Sequence, residues 1–329
     1  MHRYDIYGLG AALVDTEIEV SDEFLAQAKI EKGLMTLVDE ARQSELLTLM
    51  EDHLVGSKRA SGGSACNSII AASYFGAKTF YSCKVANDDN GLFFQHDTQS
   101  AGVATPDIPL PSGTTGKCLV MITPDAERTM NTFLGLSETL SEKELDVEAL
   151  SQSTFLYIEG YLVTSPSGKE AAIKARTLAE QHKVKTALSL SDPGMVQFFK
   201  DGLKEIIGEK VDLIFCNKDE ALGWTDTESL EDAAESLKQS AHSFAITLGS
   251  EGALVFDGQT LSHVPGNPAK AIDTNGAGDM FAGAFLYAIT HGHDFISAAK
   301  LANHAAAQVV SQYGPRLQPE QHAILKQAQ

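Results

Sequence analysis

The sequence predicts an α/β fold built on a mostly parallel sheet, and three observations carry that reading. From Phe155 onward, short apolar runs alternate with amphipathic stretches of helical length, which implies parallel strands joined by crossover helices. Hairpin-like runs, by contrast, cluster near residues 16–38 and 116–134. The chain has 329 residues, 43% hydrophobic and 21% charged, which suits one large α/β domain or two small ones.

Taken in order, Tyr4–Gly10 reads as a buried first strand, and Thr16–Val20 and Leu34–Val38 as short strands with polar Ser21–Lys32 between them. Asp39–Leu54 is amphipathic, with Leu46, Leu47, Leu49 and Met50 on or near one helical face. Ser64–Phe75 predicts a second helix and Thr79–Val85 a strand, while Pro106–Gly113 is rich in turn residues. Gly116–Thr123 and Arg128–Leu134 flank Pro124–Glu127 as a hairpin. Strand Phe155–Glu159, helix Ser167–Lys183 and strands Lys185–Ser191 and Asp212–Cys216 follow. Helix Ser229–Ser240 and strand Ser243–Leu248 complete the alternation. Ala253–Asp257 and Thr260–Val264 form a hairpin around Gly258, and helices Ala277–His291 and Asp294–Gln312 close the fold. No internal repeat or low-complexity tail interrupts residues 1–329.

Composition removes several function classes. Asp and Glu number 44 against 25 Lys and Arg, a formal charge of −19, which opposes nucleic acid and anionic membrane surfaces alike. No run of about 18 apolar residues is present to span a bilayer, and the first residues lack a signal-peptide apolar core. Cys66, Cys83, Cys118 and Cys216 show no C-x-x-C spacing, which points to reduced thiols and a cytoplasmic setting. Neither a G-x-x-x-x-G-K-[ST] loop nor the H-R-D and D-F-G motifs of protein kinases occur. Gly8-x-Gly10 lacks the third glycine of a dinucleotide fingerprint, so an oxidoreductase reading has little support.

The chemistry concentrates in Asp273-Thr-Asn-Gly-Ala-Gly-Asp279. Two glycines and an Asn make the first half a turn, and the apolar run from Asp279 to Ile289 makes the second half a buried helix. A glycine turn that opens a helix presents N–H groups to an anion. Gly276, Ala277 and Gly278 would supply them, and Asp279 would take a proton from a hydroxyl attacking the bound phosphoryl group. The plain alternative is an acid placed in a first helical turn by the helix dipole. Upstream, Gly62-Gly63 permits close backbone approach by a ligand, and Asn67 lies about one turn into the next helix. Asn217 and Glu220 sit one turn apart beyond the carboxyl end of a strand, where open α/β sheets collect ligands. Arg128 sits beside the hairpin turn, placed either for solvent or for a transferring phosphate.

The Asp273–Asp279 run resembles the C-terminal signature of the ribokinase-like (PfkB) sugar and nucleoside kinases. Ser61-Gly-Gly-Ser-Ala-Cys-Asn67 with Asn87-Asp-Asp-Asn-Gly91 is similar to that family's N-terminal signature, and Asn217-Lys-Asp-Glu220 to its Asn-x-x-Glu motif. The resemblance runs from about Tyr4 to Gly314. It implies a three-layer α/β/α domain over residues 1–329 with a small β lid from about 16–38 and 116–134. It implies ATP and Mg²⁺, with room for a monovalent cation such as K⁺, and a monomer or homodimer acting on a small molecule. Asp15, Gly62, Gly63, Asn67 and Arg128 would then meet the substrate, and Asn217, Thr247, Gly249, Gly252 and Asn303 the ATP, with Glu220 near the metal. Tyr157–Tyr161 and the Gly62–Ser68 region look more like the adenosine kinase branch than the ribokinase branch. Both branches commonly carry an Asn before the substrate carboxylate, and Ala11 departs from that pattern. The resemblance thus implies phosphoryl transfer to a primary hydroxyl of a nucleoside, adenosine first, with ribose, fructose or a related sugar as the alternative.

Overall fold

The computed structural model describes residues 3–50, 58–125 and 127–327. Its larger sheet has eight strands: β1 (Tyr4–Leu9), β5 (Thr79–Ser82), β8 (Ser153–Glu159), β9 (Lys185–Ser189), β10 (Val211–Asn217), β11 (Ala241–Thr247), β12 (Ala253–Phe256) and β13 (Leu261–Val264). Their order is β13-β12-β11-β10-β9-β8-β1-β5; only the β11–β12 and β12–β13 pairs are antiparallel. The fold is therefore the α/β class that the strand–helix alternation predicts.

Strand periodicity puts successive side chains on opposite faces, and both faces are covered. Ile6, Tyr157, Phe215 and Val255 meet α3 (Ser64–Phe75), α10 (Ala277–Thr290), α11 (Phe295–Val309) and α12 (Pro319–Gln327). Tyr7, Leu156, Leu188, Ile214 and Ile246 meet the opposite layer. That layer holds α5 (Val147–Ser151), α6 (Pro166–His182), α7 (Pro193–Ile207), α8 (Lys218–Thr225) and α9 (Leu230–Leu237). Burial on both faces explains why these strands read as near-continuous apolar runs.

A second sheet, ordered β3-β7-β6-β2-β4, stands over the carboxyl edge of the first. It contains β2 (Leu13–Glu19), β3 (Met35–Leu37), β4 (Lys58–Gly62), β6 (Thr115–Ile122) and β7 (Arg128–Gly135). On one face Leu119 and Met121 pack with Leu25 of α1 (Asp22–Gln27) and Leu46 of α2 (Glu40–Leu49). The other face carries Leu13, Cys118 and Met130 toward a cleft.

Several elements escape the sequence pattern. β4 is Lys-Arg-Ala-Ser-Gly, with no apolar alternation, and is a strand because it pairs antiparallel with β2. α1 is too short for periodicity and is started by Ser21, whose Oγ accepts from the Phe24 N–H. α4 (Asp89–Ser100) buries little beyond Gly91, Phe94 and Thr98. α7 carried a readable signal, Asp192 as cap with Pro193 at the first position. Residues 51–54 of the long helix expected from Asp39 lie outside the described residues, as does residue 126 of the hairpin turn.

α3 and α10 cross closely at Gly283, where an added Cβ would lie 2.3 Å from the Ser68 backbone oxygen. That contact sets the separation between the helix bearing Asp279 and the helix bearing Asn67. Gly283→Ala is expected to lower stability by about 1–3 kcal/mol through overpacking. A thermal melt of the variant checks this, and an unchanged Tm would mean the helices have slack there.

Candidate active site

A cleft of about 560 Å³ lies between the second sheet and the carboxyl ends of the main strands. Ala11, Glu159, Ser189, Asn217 and Thr247, each at or just past a strand end, form its floor. Asp279 enters from the first turn of α10, beside Gly278, over which an added Cβ would meet only open space. First-turn N–H groups lack intrahelical acceptors. The turn before it depends on Gly276, whose φ is +75° and whose missing Cβ would strike Pro315 at 2.5 Å.

Asp279 is held on both oxygens. Ser64 Oγ donates to Oδ1 at 2.7 Å and Asn67 Nδ2 to Oδ2 at 3.1 Å. Burial raises the Asp279 carboxyl above the ordinary range, against those two hydrogen bonds and the charges of Arg128 and Arg316. A half-desolvated carboxylate with two fixed donors and a helix N-terminus at its back has the makings of a general base.

Asp15 on β2 is buried, and burial pushes its carboxyl up to about 8; Arg316 pulls it down while Glu17 and Asp279 push it further up. Gly62 lies against it, since a Cβ there would come within 2.0 Å of the carboxyl carbon. Glu159 ends β8 and accepts the Ala11 N–H at 2.6 Å and the Ala65 N–H at 2.8 Å. Burial raises it to about 7, with the two N–H bonds opposing. Its carboxyl also fills the space beside Gly10, and Ile69 fills the space beside Gly8, so Gly8-x-Gly10 leaves no room for a pyrophosphate.

At the other end of the cleft, Asn217 and Glu220 cap α8 reciprocally. Glu220 accepts the Asn217 N–H at 3.0 Å and Nδ2 at 2.7 Å, and Asn217 Oδ1 accepts the Glu220 N–H at 2.8 Å. Burial lifts Glu220 to about 7 against the Asn217 hydrogen bond. Arg128 reaches in from β7, donating to Met130 Sδ at 3.3 Å, and Tyr161, Asp279 and Asp192 favour its charge against burial.

The cleft thus brings together Asp15, Gly63, Asn67, Arg128, Asn217, Glu220, Thr247, Gly249 and Gly276–Asp279. Gly62, Gly252 and Asn303 do not line it. Gly252 closes against the Val264 carbonyl, and Asn303 Nδ2 donates to the carbonyls of Val264 at 3.0 Å and Pro265 at 3.1 Å. Both residues therefore brace the segment after β13. Met35 and Leu37 of the second sheet line the cleft, while Leu119 and Met121 pack beneath α1 and α2. Leu13, Cys118, Met130 and Leu134 supply the rest of the apolar wall.

Sequence reading passed over Ser64, Glu159 and Arg316 as site residues. Arg316 Nε donates to Asn67 Oδ1 at 3.1 Å across 249 positions, a relation no local spacing announces.

Residues 45–322 match the family model described as pfkB family carbohydrate kinase. The chain is 27% identical to adenosine kinase of Saccharomyces cerevisiae over 97% of its own length and 98% of that protein's. Among solved structures, adenosine kinase from Sinorhizobium meliloti superposes with a TM-score of 0.93 at 33% identity, covering 99% of this chain and 100% of that one. A probable sugar kinase from Rhizobium etli CFN 42 superposes at 0.94 with 32% identity, covering 100% and 99%.

Proposed function

This chain belongs to the pfkB family of carbohydrate kinases and is an ATP-dependent kinase, and from that premise we propose that it phosphorylates the primary hydroxyl of a purine nucleoside, adenosine first. The observation that carries the reading is Asp279, held by Ser64 and Asn67 at the mouth of a glycine turn that opens a helix. In this reading Asp279 accepts the hydroxyl proton as the oxygen attacks, and the Gly276–Asp279 N–H groups face the charge on the transferring phosphoryl group. Arg128 would add a cation to the same region.

Asp15 fits a polyol partner, since donor hydroxyls would satisfy a buried carboxyl whose charged form burial disfavours. The apolar wall of Leu13, Met35, Leu37, Met130 and Leu134 suits the two faces of a base, and Tyr161 adds a ring. The second sheet then serves as the lid over the base. Ala11 offers no side-chain hydrogen bond, and its N–H is held by Glu159, so the ribose is gripped chiefly by Asp15. The free-sugar reading draws on that missing grip and on the name of the Rhizobium relative.

Among the described residues no cluster of three or more His, Cys, Asp or Glu is arranged to hold a metal. Mg²⁺ that keeps much of its water and takes phosphate oxygens asks for little protein ligation, and the buried Glu220 fits an ordering role for such water. When bound, the ion neutralises phosphate charge. No helix among the described residues is long and apolar enough to cross a membrane. The four cysteines are unpaired, in keeping with a cytoplasmic enzyme.

Glu220→Gln is expected to raise the Mg²⁺ concentration for half-maximal rate several-fold, because a neutral amide orders cation-bound water less well. An unchanged Mg²⁺ titration would leave Glu220 as a helix cap alone. The function itself is tested by incubating the protein with γ-labelled ATP, Mg²⁺ and adenosine. Label in a 5′-monophosphate supports the proposal, and label in inorganic phosphate alone refutes it.

A further inference from the structure

We propose that Arg316 is a positioning residue for Asp279: it holds the Asn67 carboxamide oxygen and thereby turns the Asn67 N–H toward the Asp279 carboxylate. A guanidinium only donates and a carboxylate only accepts. Arg316 Nε lies 3.1 Å from one end of the Asn67 amide and Asp279 Oδ2 lies 3.1 Å from the other. Only one amide orientation satisfies both, and a flipped amide would lose both bonds and set its oxygen against the Asp279 charge.

Arg316 is itself fixed. Nη1 donates to Asp97 Oδ2 at 2.9 Å and Nη2 to Ser61 Oγ at 2.9 Å. Asp97 also accepts the Ser61 N–H at 3.2 Å and a short bond from Ser61 Oγ. Burial would raise Asp97, but Arg316 and Ser61 outweigh it and hold its carboxyl below the usual range. The loop before Arg316 is keyed to the glycine turn as well: Asp273 accepts the Asn275 N–H at 2.8 Å and the Gly314 N–H at 2.9 Å. One short loop therefore supports the anion turn through Asp273 and the base through Asn67. Arg316 does not line the cleft, so its effect passes through Asn67 rather than through substrate.

The ionisable groups around Asp279 are Asp15 on β2, Tyr81 on β5, Tyr157 and Glu159 on β8, Tyr161 just beyond it, Arg128 on β7 and Arg316. Most become negative on ionising, so removing Arg316 leaves Arg128 as the cation among them. Protonation of Asp279 would then persist to higher pH.

The inference rests on Asp279 as the base, so the test includes a readout that needs no turnover. For wild type, R316Q, R316K and D97N, kcat and KM are measured across pH, and the Asp279 carboxyl carbon is titrated by ¹³C NMR. R316Q is expected to lose roughly tenfold or more in kcat through misplacement of the base, with KM for ATP within about twofold. Its acid limb and its Asp279 titration should both move up by about one pH unit. R316K, which keeps the charge, should recover most of the pH shift, and D97N, which removes the anion behind Arg316, should move the Asp279 titration down rather than up. A wild-type Asp279 titration in R316Q overturns the inference, as does a lowered kcat with an unmoved acid limb. If R316Q does not fold, R316K and D97N decide: a wild-type titration in both overturns it. Absence of kinase turnover in wild type would refute the function and leave the titration to judge Arg316.

Discussion

Replacing Asp279 by Asn is expected to lower kcat by about 10²–10⁴-fold while leaving the fold and ATP binding intact, the usual cost of losing a general base. The amide is isosteric, and Ser64 can still donate to its oxygen, so the local packing survives. What disappears is the acceptor for the hydroxyl proton. Single-turnover rates with pre-bound ATP separate this from a binding defect. A rate within a few-fold of wild type would assign Asp279 to helix capping and leave the glycine turn as a binding feature only.

Asp15→Asn is expected to move stability and function in opposite directions. The folded carboxyl keeps its proton up to about pH 8, whereas the unfolded one, at the ordinary value of 3.8, loses it. Between those values the folded state binds more protons, so stability falls as pH rises from about 4 to about 8 and is flat above. Asn carries no such ionisation. The variant should therefore match wild type near pH 4 and be more stable by on the order of 5 kcal/mol at pH 9. It should also lose roughly 10²-fold in kcat/KM for the nucleoside, the scale of one hydrogen bond to a charged group. Melting curves at both pH values with matched kinetics check the pair. A variant that is less stable at pH 9 would show that Asp15 is compensated in the folded state.

Much of the fold was legible because its strands are buried on both faces and its long helices carry strong apolar stripes. Ser64–Phe75 and the start of α10 were read to the residue. The losses have local causes. β4 is polar and owes its state to its partner β2, and α4 buries few apolar side chains. Within the cleft, glycine turns and their flanking acids were visible because they break periodicity in a chemically meaningful way. Arg316 and Ser64 were not, since each acts through a partner more than two hundred positions away. For Asn303 the sequence shows only an Asn on a helix, and not that its amide is bonded to the backbone after β13.

The most direct test of the central claim compares kcat/KM for adenosine, inosine, ribose, fructose and 2-keto-3-deoxygluconate with ATP and Mg²⁺ under one set of conditions. The apolar wall above Asp15 predicts that a purine nucleoside leads, since a bare sugar leaves that wall without a partner. A free sugar that exceeds every nucleoside by more than tenfold, about 1.4 kcal/mol of transition-state preference, would contradict the account.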